Sequence, residues 1–127
     1  MGKIILIGLG GFIGAIFRYF VSGYVQEFSK SASFPYGTLV VNVLGSFVLG
    51  FLYYFIESRG ALTPEMRALL LIGMLGAFTT FSTFSLETLN LVLHGEFIQA
   101  LANLSANFVL GLMAVWAGRM LPVLIWR

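Results

Sequence analysis

The sequence predicts an all-α membrane protein with four transmembrane helices in one domain. Its 127 residues are 59% hydrophobic and only 9% charged, whereas a soluble domain carries about 25% charged residues. A spanning helix needs about 20 mostly apolar residues. The chain holds four such stretches, at about residues 4–25, 34–56, 66–93 and 97–125. Short polar links join them, so residues 1–127 are expected to form a single transmembrane domain.

Composition also excludes several classes of function. The chain has no cysteine, which rules out disulfides and thiolate metal sites. Its net charge of +2 is too small to indicate nucleic-acid binding. It contains no aspartate and no cluster of His or Glu, so we expect no enzyme activity. The first apolar run is too long for a signal peptide, and we expect it to be retained as a span.

The first span carries glycine and arginine on one face. Gly10 and Gly14 are four residues apart, as in the small-xxx-small contacts through which membrane helices approach closely. Arg18 follows one turn later, towards the end of the span. Its side chain can extend to the interface or draw anions into a vestibule.

Polar stripes run along the second and fourth spans. Thr38, Asn42 and Ser46 recur every four residues in the second span, and Asn103 and Asn107 do so in the fourth. The Asn amides can donate hydrogen bonds to an anion, so the stripes suit an anion path. They equally suit hydrogen bonding between helices, a frequent use of polar residues in membranes.

The third stretch is too long for one straight helix. Its ~28 residues would extend about 42 Å, against a hydrocarbon core of about 30 Å. Residues 73–85, in its middle, include two glycines and five hydroxyl side chains. We therefore expect a helix break near Gly76–Thr79, as found where membrane-embedded backbone lines a cavity or binds an ion. The alternative is a kinked helix whose hydroxyls bond back to their own backbone.

Two phenylalanines follow the expected break. Phe81 and Phe84 share a helix face and alternate with Ser82, Thr83 and Ser85. The edge of an aromatic ring is electropositive, so ring edges can line a dehydrated path for a small anion. The hydroxyls can donate hydrogen bonds along it.

Three segments of this sequence resemble the Fluc (CrcB) family of fluoride channels. They are residues 10–19, residues 35–47, and residues 73–87 with the pattern Gly-x-x-Gly-Ala-Phe-Thr-Thr-Phe-Ser-Thr-Phe-Ser-x-Glu. The resemblance implies an antiparallel, dual-topology homodimer with two pores. It also implies passive, selective export of fluoride across the inner membrane, which protects the cell from fluoride.

The resemblance further implies residue roles. The expected fluoride path is lined by Phe81, Phe84, Asn42, Ser82, Thr83, Ser85 and Asn107. Arg18 matches an arginine near the vestibule. The backbone carbonyls of Gly76 and Thr79, from both subunits, match the site of a structural sodium ion (Na⁺) at the dimer centre.

The sequence departs from the family pattern in its fourth span and in its charge distribution. Many relatives carry tyrosine and serine where this chain has Asn103 and Asn107. An antiparallel dimer needs insertion in both orientations, yet the positive residues favour a cytoplasmic N-terminus. That side carries Lys3, Arg59, Arg67 and Arg127, whereas the opposite side carries Lys30.

Two other classes of function remain open from the residues. Glu87 is an acidic residue inside a span, and an embedded carboxylate suggests function. It could couple protons to export in a protein resembling the small multidrug resistance exporters. Alternatively, the polar stripes could serve packing alone in a membrane protein that transports nothing.

Overall fold

The computed structural model describes residues 1–126 of the chain, in which all regular structure is helical. The helices are α1 (Gly2–Ser29), α2 (Tyr36–Arg59), α3 (Pro64–Arg67), a π-helical stretch (Ala68–Leu75), α4 (Gly76–Phe78), α5 (Phe81–Leu93) and α6 (Phe97–Ile125). Four segments are long and apolar enough to cross a membrane: Gly2–Ser29, Tyr36–Ser58, Pro64–Leu93 and Phe97–Ile125. The four-span fold is confirmed, and the chain is a multi-pass membrane protein. Arg127 lies outside the described residues.

The link between α1 and α2 is fastened by one side chain. Gln26 Nε2 donates hydrogen bonds to the carbonyls of Ser31 and Phe34, at 2.9 and 3.1 Å. Its Oε1 accepts one from the backbone N–H of Gly37 at 3.1 Å. Pro35 immediately precedes the first residue of α2.

The glycines of α1 pack against the third span. A Cβ atom at Gly10 would collide with the carbonyl oxygen of Leu69, and one at Gly14 with that of Met74. The predicted small-xxx-small contact is therefore confirmed, and the third span is its partner. This contact fixes α1 beside the π-helical stretch.

Helices α2 and α6 form a second close pair. A Cβ at Gly50 would collide with the backbone of Val115, and one at Gly118 with that of Phe47. Near the end of the same pair, Arg119 and Glu57 form an ion pair at 2.7 Å. The pairing brings the polar stripes of the second and fourth spans face to face.

The third span is interrupted at Thr79 and Thr80. Thr79 has φ −79° and ψ 156°, and Thr80 has φ −150° and ψ 115°, so both are extended. The break is confirmed, and it lies at the C-terminal edge of the expected range. The π-helical winding before it was not predicted from the sequence. Such windings are rare and frequently occur at functional sites.

Candidate functional site

The break is held open by the side chain of Asn42 on α2. Asn42 Nδ2 donates to the carbonyl of Thr80 at 3.1 Å. Asn42 Oδ1 accepts from the N–H of the same residue at 2.8 Å. The side-chain amide of Asn42 thus replaces backbone groups as the hydrogen-bond partner of Thr80. It satisfies both the N–H and the carbonyl of this buried residue, which lies outside any helix.

Helix α5 restarts immediately after the break with its own cap. Thr80 Oγ1 accepts a hydrogen bond from the N–H of Thr83 at 3.2 Å. It lies 2.9 Å from Thr83 Oγ1, to which its hydroxyl donates. A threonine at this position satisfies one of the free N–H groups at a helix start. The hydroxyl-rich sequence therefore supplies the cap that lets α5 begin at membrane depth.

These two interactions divert donors from the carbonyls of Gly76 and Thr79. In a continuous α-helix, the N–H groups of Thr80 and Thr83 would donate to those carbonyls. Here they donate to Asn42 Oδ1 and Thr80 Oγ1 instead. Carbonyls released at a broken membrane helix are suitable ligands for Na⁺. Residues 1–126 hold no group of three or more His, Cys, Asp or Glu that could bind a metal.

A cavity of ≈ 340 Å³ adjoins the break. Its polar wall includes Asn42, Thr79, Thr80 and Asn107, and its apolar wall includes Phe81, Phe84, Phe108 and Leu75. Gly76 also lines it. The cavity therefore combines the amide and hydroxyl groups of the break with the two phenylalanines that the sequence singled out.

The two phenylalanines differ in their surroundings. Their ring centroids lie 5.6 Å apart, with the ring planes inclined by 58°. Phe84 is only 4% exposed, whereas Phe81 is 73% exposed. Phe84 also meets Phe108 at 6.4 Å, with the planes at 78°. Phe84 is thus fixed inside the subunit, and Phe81 stands at its surface.

A second cavity, of ≈ 400 Å³, lies between α1, α2 and α5. Arg18, Thr38 and Thr83 are among its lining residues. Thr80 lines both cavities. The break therefore forms the wall between a space that holds the phenylalanines and a space that holds an arginine.

Arg18 brings a positive charge to the second cavity, where the lining residue Thr38 is hydrogen-bonded to Glu87. Among the side chains that the structure describes, Arg119 and Glu57 form an ion pair, and the half-buried Arg18 forms none. A cation beside a low-dielectric cavity attracts anions. The placement fits the vestibule role expected for Arg18, which remains a prediction.

Two residues of the expected fluoride path, Ser82 and Ser85, and the embedded Glu87 lie outside the lining of both cavities. Ser82 and Ser85 are exposed and line neither cavity. Ser85 Oγ donates back to the carbonyl of Phe81 at 2.9 Å, as in the alternative reading of the hydroxyls. Glu87 Oε1 accepts from the hydroxyl of Thr38 at 2.7 Å. Its buried Oε2 has no hydrogen-bond partner in the part of the chain described.

Sequence reasoning did not single out Thr80, Thr88 or Phe108. Thr80 is the cap and the wall between the cavities, and Phe108 lines the first of them. Thr88 is buried and bonded to Asn103 at 2.9 Å. Only Thr80 carried a local signal, since it lies inside the hydroxyl-rich run. The other two sites depend on which helices are neighbours.

Comparisons with known proteins agree on one family. The family model described as CrcB-like protein, Camphor Resistance (CrcB), matches residues 5–119. The fluoride-specific ion channel FluC 1 of Methanosarcina acetivorans is 48% identical over 94% of this chain and 89% of its own length. A Sulfurovum protein named fluoride-specific ion channel FluC is 48% identical over 93% and 91%. A Shewanella protein of the same name is 47% identical over 95% and 96%.

Proposed function

The chain belongs to the CrcB family, and from that premise we propose that it is a fluoride-selective ion channel. It lets fluoride leave the cell passively across the inner membrane and so protects the cell against fluoride toxicity. The observation that carries the proposal is the first cavity, where Phe81 and Phe84 face the amide and hydroxyl groups of the break. Relatives nearly half identical over almost the whole chain carry the name fluoride channel.

The lining of the cavity suits a small dehydrated anion. The edges of the rings of Phe81 and Phe84 present weak positive charge. Thr83, which lines the second cavity on the other side of the break, can donate from its hydroxyl. Groups of this kind replace part of the water around the ion without holding it as a full charge would. Conduction requires binding that is strong enough for entry and weak enough for release. Chloride is larger, and a close-fitting ring passage excludes it.

The exposed position of Phe81 supports a dimer, in which a second copy of the chain packs against this ring. A ring that is 73% exposed lines only one side of a path. An antiparallel partner would place its own phenylalanines opposite and complete the lining. The two-fold symmetry of such a dimer generates two equivalent pores. This arrangement needs both insertion orientations, and a bias from so few charges is easily overcome.

The carbonyls of Gly76 and Thr79 are candidates to hold one structural Na⁺ at the dimer centre. Both have lost the helical N–H donor that would otherwise satisfy them. Gly76 is also exposed on the subunit, so the same carbonyls of a two-fold partner can approach it. A cation bound there neutralises the carbonyl dipoles and raises the local potential for anions.

The test of the proposed function is fluoride efflux from liposomes that contain the purified protein. We expect rapid release measured with a fluoride electrode, while chloride is retained in matched liposomes. Empty liposomes give the background leak. A well-folded dimer that released no fluoride would contradict the channel, and the exporter hypothesis would then be tested by replacing Glu87 with Gln.

A further inference from the structure

A chain of side-chain hydrogen bonds crosses three helices behind the phenylalanines. We call it the amide chain. Its six members in order are Thr80, Asn42, Asn107, Asn103, Thr88 and Phe84. It begins at the backbone of Thr80, at the break, and ends at the backbone carbonyl of Phe84, in the first turn of α5.

The links are short and continuous. Asn42 Nδ2 donates to Asn107 Oδ1 at 3.0 Å. Asn107 Nδ2 donates to both the backbone carbonyl and Oδ1 of Asn103, each at 3.0 Å. Asn103 Nδ2 donates to Thr88 Oγ1 at 2.9 Å. The Thr88 hydroxyl then donates to the carbonyl of Phe84 at 2.8 Å.

The backbone fixes the direction of the whole chain. The N–H of Thr80 can only donate and its carbonyl can only accept, so the amide of Asn42 has one possible orientation. Asn107 must then turn its oxygen towards Asn42 and its nitrogen towards Asn103. The same argument fixes the orientation of the Asn103 amide and of the Thr88 hydroxyl. Changing any member therefore leaves its neighbours facing a missing or mismatched partner.

The two amides of this chain that line the first cavity, Asn42 and Asn107, have no hydrogen to spare for an ion. Asn42 Nδ2 and Asn107 Nδ2 each carry two hydrogens, and each already makes two hydrogen bonds. Asn103 is 0% exposed, so an ion in the cavity cannot reach it. The burial and saturation of these amides favour a role in holding the site over a role in binding the anion.

The two ends of the chain enclose the residues proposed to line the pore. Thr80 and Phe84 bracket the first turn of α5, which also carries Phe81. Asn42 is on α2 and Asn107 is on α6. The chain thus ties this turn to both neighbouring helices and sets where the two rings stand relative to the cavity.

We propose that Asn103 and Asn107 are positioning residues, which set the rings of Phe81 and Phe84 through the amide chain and so determine fluoride conduction. The inference rests on the proposed function and deepens it. It explains how asparagines can serve at the two fourth-span positions that depart from the family pattern. Their contribution comes through the backbone of α5 and the amide of Asn42, without contact with the ion.

The test compares three single variants and one double variant in the liposome efflux assay across a range of fluoride concentrations. Asn103→Leu keeps the approximate size and removes the amide. Thr88→Val is isosteric and removes only the last link. The matched control is Asn90→Leu, because Asn90 is exposed on α5 and is not part of the amide chain. The double variant Asn103→Leu/Thr88→Val completes a mutant cycle.

We expect Asn103→Leu to lower fluoride turnover about tenfold, which corresponds to about 1.4 kcal/mol, and to shift the half-saturating fluoride concentration. Thr88→Val should act in the same direction to a smaller extent, and Asn90→Leu should match the parent protein. The double variant should be no worse than Asn103→Leu alone, because both changes interrupt one chain. A purely structural defect would reduce the amount of active dimer and leave the half-saturating concentration unchanged.

Two results would overturn the inference. One is a normal turnover and half-saturation in Asn103→Leu. The other is a double variant whose loss is the product of the two single losses. If Asn103→Leu yields no dimer, Thr88→Val alone decides, and an unchanged fluoride dependence there refutes the chain. Failure of the parent protein to conduct would instead refute the proposed function.

Discussion

Replacing Phe81 or Phe84 with isoleucine should separate the proposed role of the ring in conduction from its role in stability. Isoleucine keeps much of the bulk and removes the electropositive ring edge. Phe81 is 73% exposed and Phe84 is 4% exposed, so the same substitution meets two different environments. We expect fluoride turnover to fall at least tenfold in both variants, since both lose a ring edge at the cavity.

The expected stability changes differ because only one ring is packed inside the subunit. Phe84 loses aromatic contacts with Phe81 and Phe108, with centroids at 5.6 and 6.4 Å. Each such pair contributes about 0.5–1.5 kcal/mol, so Phe84→Ile should cost about 1–3 kcal/mol. Phe81→Ile loses only the first pair, at the surface, and should cost about 0.5–1.5 kcal/mol.

The assay measures fluoride efflux and the thermal stability of the detergent-solubilised protein on the same preparations. Phe97→Ile is the control, since Phe97 is 65% exposed at the start of α6 and lines neither cavity. Normal efflux in both Phe81→Ile and Phe84→Ile would contradict a role of the ring edges in conduction. If efflux fell only in proportion to the amount of folded protein lost, the rings would have a packing role.

Three further predictions concern the ion site and the helix contacts. If the proposed Na⁺ site exists, replacing Na⁺ with the bulky cation N-methyl-D-glucamine should lower the melting temperature of the protein. The loss is about 2.7 kcal/mol where Na⁺ had been at 100 times its dissociation constant. Gly14→Ala should destabilise the protein by about 1–3 kcal/mol, because the new Cβ meets the carbonyl of Met74; thermal melting measures it. Arg119→Gln should cost less than about 1 kcal/mol, because its ion pair with Glu57 is 48% and 41% exposed; the same melting experiment applies.

Each of these predictions has a control and a contrary result. Equal melting temperatures in Na⁺ and N-methyl-D-glucamine would contradict the Na⁺ site. Gly11→Ala is the control for Gly14→Ala, since nothing lies within 4 Å of a Cβ at Gly11; equal effects would contradict the close contact. A loss well above 1 kcal/mol in Arg119→Gln would give that pair a larger role than its exposure allows.

Local sequence signals were sufficient for the spans and for the break. Runs of apolar residues set the four helices, because each helix satisfies its own backbone within the segment. The break depended on a run of hydroxyls and glycines that could be read in one dimension. The break lies at Thr79–Thr80, slightly displaced from the expected range. The reason is that Asn42, on another helix, accepts the hydrogen bond of the Thr80 N–H.

The roles of the polar stripes could not be predicted from each segment alone. Thr38, Asn42 and Ser46 on one span, and Asn103 and Asn107 on another, could each have been pore lining or interhelical bonding. The stripes turned out to meet, with Asn42 bonded to Asn107 and Asn107 to Asn103. Nothing in either stripe alone states which helix it faces.

Residue types and their spacing were enough to predict a four-span membrane protein with an interrupted third span and a phenylalanine–hydroxyl segment beside the interruption. Each of these features depends on one segment at a time. The packed helices were needed to show which carbonyls lose their helical donors, which asparagines hydrogen-bond to one another, and that Phe84 is buried while Phe81 is not. Those facts depend on the packing of α2, α5 and α6, because hydrogen bonds and burial between distant segments are set by which helix faces are brought together.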